Sequence, residues 1–115
     1  MPMVEVLGAS NTIRDEIKGY IPLVVAAHLS CEEIRLSAQE VKVRFIEVGK
    51  DDFGYSGYQG SPKTFMTIRA RDVPSRRANL QIICNKILNE MKRPGTFDLS
   101  ELNVTIFLVP MASAG

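Results

Sequence analysis

Apolar and polar positions change rhythm several times along the chain. MVEVLGA alternates from its first residues and reads as a short strand closed at Gly8-Ala9-Ser10. Asn11 or Thr12 follows as a helix cap, with Asp15 and Glu16 expected in the first turn. Ile13, Ile17, Tyr20, Ile21, Val24, Val25 and His28 then recur at helical spacing. Pro22 interrupts that stretch, so it either kinks the helix or marks its true first turn. Ser30-Cys31-Glu32-Glu33 has the Ser-x-x-Glu form of a capping box and predicts a further helical turn. EVKVRFIEV, Glu40 to Val48, alternates again and predicts a second strand.

The next stretch, GKDDFGYSGYQGSPK, carries Gly49, Gly54, Gly57 and Gly60 and predicts a long loop or loose hairpin. TFMTIRAR is a third strand. Pro74-Ser75 opens a second helix, with Leu80, Ile83, Cys84, Ile87, Leu88 and Met91 on one face and Pro94-Gly95 as its stop. NVTIFLV, Asn103 to Val109, is a last strand, and MASAG is a tail.

The order is two successive βαβ units. A helical crossover makes its two strands parallel. The expected fold class is therefore α+β: a four-stranded sheet with both helices on one face, in a single domain spanning 1–115. The second sheet face must hold either Met66, Ile68, Ile106 and Leu108 or their alternating neighbours. Two helices cannot cover both faces, so another subunit is expected to cover it.

Composition narrows the picture without redirecting it. The chain has 115 residues, enough for one core, and a net charge of +1, too small to steer nucleic acid or anionic membrane. No apolar stretch reaches membrane-spanning length and no leader pattern opens the chain, so a cytoplasmic location is expected. Cys31, Cys84 and the single His28 lack metal-ligand spacing, and two distant cysteines do not make a disulfide scaffold. Reduced, mostly buried thiols are expected. The loop glycines are followed by no lysine-serine or lysine-threonine pair opening a helix, which sets a phosphate loop aside.

The residue that carries chemical interest is Pro2. With Met1 removed it is a secondary amine at a chain terminus, and a free α-amino group has a pKa of about 7.7–8.0. Apolar burial and nearby cations lower that value, giving a base able to move a proton near neutral pH. With Met1 retained, the nitrogen is a tertiary amide and the chemistry is lost. Without further context Pro2 is simply a proline at a strand edge.

The opening MPMVEV, the stretch VKVRFIEVGKDDFGYSG and the segment NTIRDEI, set in a βαβ-βαβ order, resemble the tautomerase superfamily. Its branches include 4-oxalocrotonate tautomerase, 5-carboxymethyl-2-hydroxymuconate isomerase and macrophage migration inhibitory factor. The resemblance implies a homotrimer in which Pro2 acts as general base on a small 2-oxo or 2-hydroxy acid, with no metal or organic cofactor. Lys42 aligns with the family's substrate-binding arginine, although a lysine lacks the bidentate fork. Phe53 aligns with the hydrophobic wall of the pocket. Arg71, at the strand end nearest the expected pocket, is the favoured carboxylate binder, with Arg69 on the same strand face and Arg14 as further candidates. Phe107 is a second wall residue. Thr105 and Phe107 stand where the cytokine-like branch carries pocket tyrosine and asparagine, which argues against a phenylpyruvate-type pocket.

Two rival readings follow from the same residues. One is a dehalogenase or decarboxylase in which Pro2 is an acid and Glu40, Glu47 or Asp72 activates water. The other is a non-catalytic oligomeric module. On element order alone, a ferredoxin-like regulatory domain also fits.

Overall fold

The computed structural model describes residues 2–8, 11–47, 64–92 and 102–110. The elements run β1 (Met3–Leu7), α1 (Asn11–Ile17), α2 (Tyr20–Leu29), a 3-10 turn (Ala38–Glu40), β2 (Lys42–Ile46), β3 (Thr64–Arg71), α3 (Pro74–Ala78), α4 (Leu80–Met91) and β4 (Leu102–Val109). The long loop, Phe53 within it, Pro94-Gly95 and the tail lie outside the described residues.

The strands form one sheet in the order β2-β1-β3-β4. β1 runs parallel to β2 and β3 parallel to β4, while the central pair β1–β3 is antiparallel. Each crossover thus joins neighbouring strands, as the two βαβ units require. A ferredoxin-like domain splits its βαβ units by inserting a strand between the parallel pair, so that alternative falls.

Alternation sorts the strand residues onto two faces. Val4, Val6, Met66, Ile68, Ala70, Leu102 and Ile106 are buried beneath the helices with Ile17, Ile21, Val24, Val25, Leu29, Ile83, Ile87 and Met91. The apolar stripes that suggested the helices are the faces that pack. Met66, Ile68 and Ile106 therefore belong to the helix side. The other face carries their neighbours: Met3, Glu5 and Leu7 on β1, beside Lys42, Arg44 and Ile46 on β2. Phe65, Thr67 and Arg69 follow on β3, with Asn103, Thr105 and Phe107 on β4.

Each helical layer is broken into two segments. Lys18-Gly19 separates α1 from α2, so Pro22 lies in the first turn of α2 and kinks nothing. That position needs no backbone donor. Asn79 likewise separates α3 from α4. Gly8 closes β1 with φ of 86°, in the left-handed region where a Cβ is strained.

One expectation fails at the end of α2. Ser30 does not start a helical turn. Its hydroxyl donates to the Ala26 carbonyl at 2.7 Å and accepts from the Leu36 amide at 3.0 Å, so it closes α2 and pins the segment that leaves it. The side chain caps an end where the sequence pattern suggested a beginning. The box that does form is Ser37 with Glu40, around the 3-10 turn. Strand 2 is also shorter than its alternation suggested, Lys42–Ile46 rather than Glu40 to Val48.

Candidate active site

The start of β1 lies between two strands that supply cations. Pro2 is fully buried, and its carbonyl accepts the Lys42 amide at 3.1 Å. Met3, the next residue, pairs with Lys42 on one side and with Arg69 on the other. Because β3 runs antiparallel to β1, Arg71 extends two residues past that pair, beyond the start of β1. On β4, Phe107 pairs with Arg69 and Val109 with Arg71. Neighbouring strands are about 4.8 Å apart, so Lys42 and Arg69 are one strand from Pro2 and Phe107 is two. Five of the sequence candidates, Pro2, Lys42, Arg69, Arg71 and Phe107, therefore share one end of the sheet.

They differ in what already holds them. Arg69 donates to the Glu5 carboxylate across the β1–β3 pair, and its guanidinium lies 5.8 Å from the Phe107 ring centroid. It is an ion pair backed by an aromatic face, half-exposed on the open side of the sheet. Lys42 and Arg71 pair with no carboxylate among the described residues. Lys42 is exposed and Arg71 half-buried. This end of the sheet thus offers two uncommitted cations around a buried proline.

Arg14 lies elsewhere. It sits on α1 beside the far end of β2, 3.8 Å from the Glu47 carboxylate and 5.4 Å from the Phe45 ring centroid. Phe45 is in the register pair with Val6, toward the opposite end of β1 from Pro2. Within one chain the structure does not bring Arg14 to Pro2.

The three carboxylates considered as water activators are all engaged. Glu40 accepts from Ser37, Glu47 faces Arg14, and Asp72 accepts from Arg77 Nε at 3.1 Å. No cluster of three His, Cys, Asp or Glu side chains able to hold a metal occurs among the described residues. No helix among them is long and apolar enough to cross a membrane.

Sequence reasoning missed Arg76. It lies in the short helix α3. It is fully buried. Its Nε donates to the Leu29 carbonyl at 3.0 Å and its Nη1 to the Arg71 carbonyl at 2.9 Å. Leu29 is the last residue of α2, so a cation there meets the negative end of a longer helix. One guanidinium therefore fastens α2 to the strand end that presents Arg71. Burial pushes its pKa down from the usual arginine value, the Cys31 sulfur and Glu33 carboxylate act upward, and Arg71 adds to the fall. No local signal marks this role, because Leu29 is 47 residues away in the chain.

Solved structures share this architecture along nearly the whole chain. No family model and no curated protein matches the sequence. A macrophage migration inhibitory factor-like protein from Entamoeba histolytica superposes with a TM-score of 0.65 at 8% identity, covering 99% of this chain and 93% of that one. Pt0534 inactivated by 2-oxo-3-pentynoate gives 0.63 at 15% identity, covering 99% and 89%. A fused 4-OT in the form of a symmetric trimer gives 0.59 at 13% identity, again covering 99% and 89%. At these identities the likeness is one of fold.

Proposed function

We propose that this chain is a cofactor-independent tautomerase or isomerase acting on a small 2-oxo or 2-hydroxy acid. The observation that carries the reading is the sheet end just described, where Pro2 is buried between strands that present Lys42 and Arg71, neither with a carboxylate partner among the described residues. An anionic substrate would give those cations a charged partner. A terminal amine is a backbone atom. It therefore emerges along the strand end rather than from either face, between the cations on the flanking strands.

In this reading Met1 is removed and Pro2 becomes a neutral secondary amine. Its nitrogen takes a proton from the C3 carbon of the 2-oxo form, or from the hydroxyl of the enol form, and returns it at the other position. Lys42 and Arg71 hold the carboxylate and stabilise the negative charge that gathers on the C2 oxygen. Phe107 walls the site, and Phe53, outside the described residues, is the second proposed wall. Arg69 is a secondary binder because Glu5 already holds it. Arg14 would reach this pocket only from a neighbouring copy, which fits the proposed homotrimer. That assembly would also cover the open sheet face.

Proton transfer is favoured over dehalogenation or decarboxylation by the state of the carboxylates. Glu40, Glu47 and Asp72 each have a hydrogen-bond or ion-pair partner already, which leaves them less available to activate water. The test is the keto–enol rate of a panel of 2-hydroxy-2-enoates and 2-hydroxy-2,4-dienoates, followed by ultraviolet absorbance. Acceleration that vanishes when Pro2 is acetylated supports the proposal. Protein that has lost Met1 yet leaves every substrate at the buffer rate contradicts it and points to a non-catalytic module.

A further inference from the structure

Arg76 is a charged side chain that the proposed chemistry does not use, and its contacts lead to that site. It is fully buried, yet no carboxylate forms an ion pair with it among the described residues. Its Nε and Nη1 donate to the Leu29 and Arg71 carbonyls, while Nη2 is buried without a hydrogen-bond partner. A buried charge with an unmet donor lowers stability, and an apolar residue of similar volume often serves a core as well. Packing alone does not call for an arginine here.

What the guanidinium holds is the backbone of one residue. The Asp72 amide donates to the Val109 carbonyl at 2.8 Å, which carries the β3–β4 pairing one step past Arg71. Arg76 Nη1 donates to the Arg71 carbonyl at 2.9 Å. The peptide group that follows Arg71 is therefore fixed at both its nitrogen and its oxygen. The Asp72 carboxylate adds a third tie by accepting from Arg77 Nε at 3.1 Å. Strand ends ordinarily fray, and this one is clamped at the residue that presents a free cation. The backbone at Arg71 sets the direction in which its side chain leaves the strand. We infer that Arg76 is a positioning residue, which fixes the Arg71 backbone so that the Arg71 guanidinium is preorganised for a carboxylate. The inference rests on the anion-binding role proposed for Arg71. Preorganisation lowers the ordering cost of binding, so its loss is read as weaker affinity rather than slower chemistry.

The probes are oxalate, an unreactive carboxylate whose binding is followed by titration calorimetry, and the enol-acid panel, followed as kcat and KM. Arg76→Lys keeps a charge but not the fork that reaches two carbonyls. Arg76→Met keeps the length and removes the donors. Each is expected to weaken oxalate binding and raise KM roughly tenfold, with kcat changed less than about twofold. In an Arg71→Gln background the same substitutions are expected to change either constant by less than about twofold, because the effect passes through Arg71. Glu33→Ala releases the Ser75 amide at the start of α3 without touching the Arg71 carbonyl, and is expected to leave both constants unchanged. Unchanged oxalate affinity in folded Arg76 variants, or an equal loss in the Arg71→Gln background, would overturn the inference. Amide exchange in the ligand-free wild type decides the matter even where no Arg76 variant folds. The Asp72 amide is expected to be protected as strongly as the amides at the centre of β3, and a frayed Asp72 amide overturns the inference. Wild-type protein that binds oxalate yet accelerates no enol acid defeats the proposed activity alone, and the oxalate affinities still decide the role of Arg76. Wild-type protein that binds no oxalate overturns it.

Discussion

The two ends of the sheet treat their cations differently. Toward the far end of β1, Arg14 faces Glu47 and lies over the Phe45 ring, so its charge is matched within the fold. At the Pro2 end, Lys42 and Arg71 have no carboxylate partner among the described residues. Arg69 lies between these cases, at the Pro2 end but held by Glu5 and Phe107. The contrast shows how to separate structural cations from candidate ligand-binding ones without knowing the ligand. A matched cation contributes to the fold. An unmatched one beside a buried, potentially basic group is available to an anion.

The sharpest way to break this contrast is at Pro2. Pro2→Ala still permits methionine removal but replaces the secondary amine with a primary one. In steady-state assays kcat is expected to fall roughly 10²–10⁴-fold, the range of a lost general base. Next come Lys42→Gln and Arg71→Gln. Each is expected to raise KM by about 10–100-fold with a smaller change in kcat, as loss of a charge-assisted hydrogen bond predicts. A variant with unchanged KM would return that cation to the matched class.

The far end is expected to respond through stability alone. Gly8→Ala forces a Cβ into φ of 86° and should destabilise the fold by about 1–2 kcal/mol in urea titrations, with KM unchanged. The smallest effect has the opposite sign. Gly19 is right-handed, with φ of −88° and ψ of −21°, and a Cβ there meets nothing within 4 Å. Gly19→Ala should stabilise by about 0.4–1 kcal/mol in the same titration, by restricting the unfolded chain, and alter neither kinetic constant.

Much of this architecture was legible because it is set by short-range period. β3 lies at the bounds that TFMTIRAR suggested, and the apolar stripe of α4 is the stripe that packs. The parallel pairs followed from the two crossovers. The shared face of Arg69 and Arg71 followed from alternation, and the placement of Lys42 beside the start of β1 emerged once the strands paired. What was not legible depends on partners distant in the chain. Arg76 reads as exposed until Leu29 and Arg71 are brought to it. Ser30 reads as a helix start because Ser-x-x-Glu is a local pattern, and only the return of Leu36 to its hydroxyl reveals an end. Arg69 stood as a further candidate behind Arg71, and only the β1–β3 register showed Glu5 within its reach. The sequence could propose which side chains bear the chemistry, but not which of them other side chains had already engaged.

The central claim is that Pro2 is a free, reactive amine in a pocket that accepts 2-oxo acids. Intact mass before and after brief exposure to 3-bromopyruvate, with the adduct mapped by peptide sequencing, tests it most directly. The account predicts loss of Met1 and one adduct on Pro2, suppressed in Arg71→Gln. Retained Met1, or adducts confined to Cys31 and Cys84, would contradict it.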